Sequence, residues 1–207
     1  MAYEDLIYQR CAAAIANFAA ALASEIYALG LMYGTFWSAD AHDVEVIYQS
    51  VIWFRYNTHS EFKRSISEAS DEMEAKWNPS FWCEDTQQIA PRSVSVEYGE
   101  EPDDEELMVR DEWCASGGIM PERKDAGGRP VYDEVELNRA TVSLCQRVIQ
   151  RLHETGVVAS KFGRPLPIVI YDDECGAAVQ ATLEANPVSD DLKEVCACMS
   201  KWHGVSR

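Results

Sequence analysis

The sequence predicts an α+β fold: a small antiparallel or mixed sheet packed against several helices. Three observations predict it. Two β-branched and aromatic runs stand side by side early, over 25–37 and 44–56, and a third, Pro165–Tyr171, returns late. Runs of helical period fill most of the remainder. The strands do not alternate with helices along the chain, which argues against a doubly wound parallel sheet. A chain of 207 residues that is 47% hydrophobic can fill one core, and 1–207 is read as a single domain. Within it, 83–132 is read as an acidic, loop-rich insertion.

The first helix is expected over 4–23. Leu6, Ile7, Cys11, Ile15, Phe18 and Leu22 recur at steps of three and four, and the alanines between them favour helix. Residues 25–37 read as a strand, with Gly30 or Gly34 marking a bulge or a close approach. A turn follows, then a second strand over 44–56, antiparallel to the first. Asn57 and Thr58 break it. Thr58 stands three residues before Glu61, the spacing of a capping box, so a helix is expected from His59 to Ala75 with Phe62, Ile66, Ala69 and Met73 on one face. Pro79 forbids its continuation.

Four prolines and two Gly-Gly pairs make 83–130 irregular. Val94–Tyr98 reads as a short strand, Glu100–Trp113 as a short helix and Pro121–Pro130 as a loop. A clear amphipathic helix follows over 133–154, with Gly156 as its stop. Pro165–Tyr171 is a buried strand. Helices over 172–185, capped by Asp172 or Asp173, and over 189–202 complete the chain, with Asn186-Pro187 turning between them.

Charge is the unusual quantity. The 35 acidic residues outnumber 18 basic ones, for a net charge of −17. That excludes a general nucleic-acid binder, which needs a basic face, and disfavours an anionic membrane surface. It favours a cationic protein partner. The acids concentrate over 97–112, where nine of them face the single base Arg110. Glu97, Glu100, Glu101, Asp103, Asp104, Glu105 and Glu106 are read as a self-repelling, solvated block, dispensable for stability. It is either a solubilising surface or a docking surface for a cation-rich protein. Trp113 beside it is either an interface anchor or a core residue.

The start, with two acids in its first five residues, does not resemble a signal peptide, and Cys11–Ala23 is too short for a membrane span. Seven scattered cysteines without CxxC spacing read as reduced thiols of a cytoplasmic protein.

No pattern spells out a reaction. The chain has no P-loop, GxGxxG or GxSxG. Cys196, Cys198 and His203 are the best metal candidates, but two cysteines two apart on a helix point to different faces. Neither His42-Asp43 nor His59 with Glu61 forms a zinc-protease helix. Asp172-Asp173-Glu174 follows a strand, where carboxylates can hold Mg²⁺, but a helix start explains all three acids without a metal. Neither metal nor cofactor is expected.

The runs Tyr56-Asn57-Thr58 and Lys76-Trp77-Asn78-Pro79-Ser80-Phe81-Trp82, with Phe162-Gly163 and Asn186-Pro187 near the end, resemble a bacterial family, domain of unknown function 4303. The acidic stretch between Trp82 and Asp133 departs from it. The resemblance carries over no catalytic residue. It implies an immunity-like or binding role, because relatives neighbour toxin genes. By themselves, Trp77 and Trp82 flank a proline turn where two large rings can seal the edge of a core.

The functional expectation is a cytoplasmic binding protein, an immunity protein that neutralises a cognate toxin by protein contact. The alternatives are a small enzyme with a carboxylate or Cys/His site and a housekeeping scaffold.

Overall fold

A computed structural model describes residues 2–39, 45–83, 85, 87–96, 99–171 and 177–202. Helix α1, Tyr3–Asn17, buries Tyr3, Leu6, Ile7, Cys11, Ala14 and Ile15, the stripe its spacing prescribes. It stops earlier than its alanine content predicts. Phe18 leaves the helical conformation, and its ring meets Tyr56 edge-on at 5.0 Å and also packs near Phe54 and Phe162. Packing of one aromatic ring overrides local propensity here, and only the single turn α2, Ala20–Ala23, follows.

Strands β1, Ile26–Ala39, and β2, Glu45–Thr58, form the predicted antiparallel pair. Both glycine expectations hold. A Cβ on Gly30 would lie 3.0 Å from Cζ3 of Trp82, so Gly30 marks a close approach. The register slips just beyond Gly34, and Ser50 opposite takes φ 54°. This bulge puts one extra residue on β2. There the buried Gln49 side chain bonds the Tyr132 backbone like a strand: Nε2 donates to its carbonyl at 2.9 Å, and Oε1 accepts from its N–H at 2.8 Å.

The helix expected over 59–75 is two helices. Thr58 caps α3, His59–Ser65, by accepting from the Glu61 N–H at 3.1 Å. Asp71 caps α4, Glu72–Trp77, through the Glu74 N–H, while Glu74 accepts from the Ser70 N–H and hydroxyl. Those caps start a fresh helix where the apolar period alone reads straight through. Ile66, assigned to the buried face, is 44% exposed.

A 3₁₀ turn at Pro79–Phe81 follows, and Trp77 and Trp82 on either side of it are buried. The Lys76 carbonyl accepts from the Tyr27 hydroxyl at 2.8 Å and the Trp82 indole at 3.1 Å, and the Tyr171 hydroxyl donates to the Trp77 carbonyl. The turn seals the core over Gly30.

Strand β3, Gln87–Ala90, joins β2. Strands β4, Ser93–Val96, and β5, Gly99–Pro102, form a separate hairpin. Helix α5 is Asp104–Ser116. A second hairpin, β6 at Pro121–Lys124 and β7 at Pro130–Tyr132, replaces the expected loop. Helix α6, Glu134–Glu154, is capped by Asp133 and ends before Gly156 at φ 74°. Helix α7, Val157–Phe162, leads to β8, Ile168–Tyr171, which is fully buried and parallel to β1. Helices α8, Ala177–Ala185, and α9, Asp190–Trp202, close the order.

The main sheet runs β3-β2-β1-β8 and is mixed, with α1, α6 and α8 packed on it. Along the outer side of β8, the Ile170 N–H donates to Thr182 Oγ1 at 3.0 Å. The Asn186 amide takes both polar groups of Ile168, accepting from its N–H and donating to its carbonyl.

The loop-rich reading of 83–132 is corrected by this architecture. β3 belongs to the main sheet. Leu107 packs on Val51, and Cys114 clusters with Ile119, Tyr132 and Leu137. Dense acids obscured the apolar stripe of α5.

Candidate functional site

The acidic residues divide by position on α5. Asp103 is its cap, accepting from the Glu105 N–H at 2.9 Å. Asp104, Glu105 and Glu106 occupy the first turn, where negative charge complements the helix dipole.

Glu106 corrects the expectation of a solvated block. It is buried. Its carboxylate accepts from both terminal nitrogens of Arg10, one at 2.6 Å, from the Arg92 N–H at 2.7 Å and from Arg92 Nε at 3.0 Å. Arg10 also donates to the Ile89 carbonyl at 2.6 Å, tying in β3. Burial pushes the Glu106 carboxyl pKa up, but the hydrogen bonds from Arg10 and Arg92 and the charge of Arg10 outweigh it and hold the value below the ordinary one. The base within the block is equally committed. Arg110 is buried, donates to the Gln49 carbonyl at 3.0 Å and pairs with Asp111 at 2.6 Å.

Opposite this anchored side, Asp104, Glu105, Met108 and Glu112 are exposed. They fall within one arc of the helix. Met108 is 63% exposed in the middle of the acids. Arg129 approaches Asp104 at 3.5 Å. Glu100 and Glu101 lie on β5, their backbones paired with Ser95 and Val94. Glu97 lies outside the described residues. Trp113 is placed about a third of a turn around from the acidic face. It is half-buried, with its ring 5.5 Å from that of Tyr3.

Cys196 and Cys198 are both core residues, Cys198 donating to the Met73 carbonyl at 3.8 Å. Among the described residues no group of three His, Cys, Asp or Glu could hold a metal ion. His42, His203 and the Asp172–Glu174 run fall outside them. His59 lies against the Tyr27 ring at 5.1 Å. His153 contacts Asn186 Oδ1 at 3.0 Å, and burial lowers its pKa. Among the described residues six cysteines are thiols, five buried and Cys83 half-buried. Burial pushes the Cys114 and Cys198 thiols up to about 11, away from thiolate chemistry.

The Arg10–Glu106 clamp escaped the sequence reading, although a signal existed. Arg10 falls on the Tyr3–Ile7–Ala14 stripe of α1, and Glu106 on the Leu107–Arg110–Cys114 side of α5. A charge on each of two buried stripes asks for a partner.

No protein-family model, curated protein or solved structure matches the chain.

Proposed function

We propose that the chain is a cytoplasmic protein-binding protein that takes a cationic protein partner, in the manner of an immunity protein neutralising a cognate toxin. The observation that carries this reading is the outward face of α5, where Asp104, Glu105 and Glu112 surround the exposed Met108. Acids around an apolar centre suit an interface in which charge steers the encounter and apolar contact slows dissociation. The clamp beneath holds that face on a rigid base, so little ordering is needed on binding. The net charge of −17 adds long-range attraction for a basic partner. The family resemblance supplies the narrower form, in which the partner is a toxin. Nucleic acid and membrane are not partners in this reading. Among the described residues no helix is long and apolar enough to cross a membrane.

The test begins with affinity capture and with the products of neighbouring genes. Association rates are then measured against ionic strength. The variant Asp104→Asn, Glu105→Gln, Glu112→Gln associates more slowly at low salt, and the difference shrinks as salt screens the wild type. Met108→Ala speeds dissociation with little change in salt dependence. Equal rates for the wild type and the neutralised variant at low salt would reduce the face to a solubilising surface.

A further inference from the structure

Beside Trp113 lies an open groove of about 360 Å³ between the C-terminal part of α5 and α6. Trp113, Ile119 and Ala140 supply its apolar lining. Glu136, Arg139 and Arg147 of α6 line it as well. Positions 136, 139, 143 and 147 form one stripe of that helix.

The two lining arginines differ. Arg147 is already held, its Nε donating to Glu4 at 2.7 Å and its Nη1 to the Ser143 carbonyl at 3.1 Å. Arg151, farther along α6, pairs with Asp5 at 2.6 Å. Arg139 is exposed and enters no ion pair among the described residues. Carboxylates outnumber cationic side chains 35 to 18 in this chain, yet among the described residues none pairs with this guanidinium.

We propose that the groove binds a small aromatic carboxylic acid, its ring on Trp113, Ile119 and Ala140 and its carboxylate on Arg139. An indole wall accepts a second ring offset or edge-on. A planar guanidinium matches a carboxylate with two parallel hydrogen bonds. The volume lies within the range of small-molecule sites. Glu136, one turn before Arg139, opposes a doubly charged group and so favours a carboxylate over a phosphate monoester. The site is separate from the acidic face of α5 and does not depend on the partner reading.

The experiment titrates the full chain with hydrocinnamate, with hydrocinnamyl alcohol as its neutral counterpart, and with phenyl phosphate. Methyl resonances of Ile119 and Ala140 and the indole N–H of Trp113 report the groove. Hydrocinnamate binds in the millimolar range and shifts these three signals. The alcohol binds about tenfold more weakly, and so does hydrocinnamate to Arg139→Gln, the effect of losing one charge-assisted contact. Ala140→Leu, which keeps the arginine and fills the groove, abolishes binding. No shift at saturating hydrocinnamate, equal binding of acid and alcohol, or unchanged affinity in Arg139→Gln would overturn the site. Tighter binding of phenyl phosphate than of hydrocinnamate would overturn the carboxylate assignment.

Discussion

Arg10 grips the carboxylate of Glu106 with both terminal guanidinium nitrogens, fastening α1 to α5 across 96 positions of sequence. The pair is largely removed from water, with 14% and 9% of the two side chains accessible. The most acidic stretch of the chain is thereby anchored through one of its own acids.

Glu106→Gln therefore lowers stability by about 3 kcal/mol, because it strands the buried Arg10 charge and loses the second acceptor oxygen. Glu105→Gln, exposed one position earlier, changes stability by less than about 1 kcal/mol. Urea denaturation of both variants checks the contrast. Equal stabilities would return Glu106 to the solvated block the sequence implied.

The same carboxylate shapes the acid limb of stability. Its folded pKa lies below the ordinary value of 4.5, so its contribution is complete above that pH. It is lost as the pH falls from there through the folded value. The stability difference between wild type and Glu106→Gln is thus flat near neutrality and narrows below pH 4.5. Thermal melts from neutral to acid pH measure it, and a gap that widens on acidification contradicts the assignment.

Gly30 and Gly34 respond differently to alanine. At Gly30 the new methyl meets Trp82 at 3.0 Å, within a buried turn that has little room to give. Gly30→Ala costs about 1–3 kcal/mol. At Gly34 the nearest atom is Trp53 Cζ3 at 3.7 Å, ordinary contact distance. Gly34→Ala is neutral or slightly stabilising, since it restricts the unfolded chain. Paired melting curves decide it.

Trp113→Ala lowers stability by about 2 kcal/mol through its packing on Tyr3, less than the roughly 3–5 kcal/mol expected for the fully buried Trp77→Ala. Denaturant titration ranks them. A stability-neutral Trp113→Ala would remove the core role.

What the sequence made legible follows from the range of the forces involved. The antiparallel strands, the Thr58 cap, the long helix before Gly156 and the buried tryptophans around Pro79 each depend on neighbours a few positions away. The parallel addition of β8 to β1 and the Gln49 bridge to Tyr132 join distant segments and leave no local period. The acidic stretch misled for another reason. Its composition predicts solvation, but Leu107, Arg110 and Cys114 share a helical side with Glu106, and that side is buried. Of the candidate site, the charge and its neighbourhood were readable. Which acids face outward was not, because that depends on where Arg10 reaches.

Thr182 and Asn186, one helical turn apart on and just beyond α8, occupy both backbone groups of Ile168 and the N–H of Ile170 along the outer side of β8. A strand of four apolar residues is the kind of edge that recruits copies of itself. Here three of its docking points are taken by side chains of the same chain. Those contacts oppose growth of the sheet on that side, so these two polar residues guard against aggregation as well as supporting the fold.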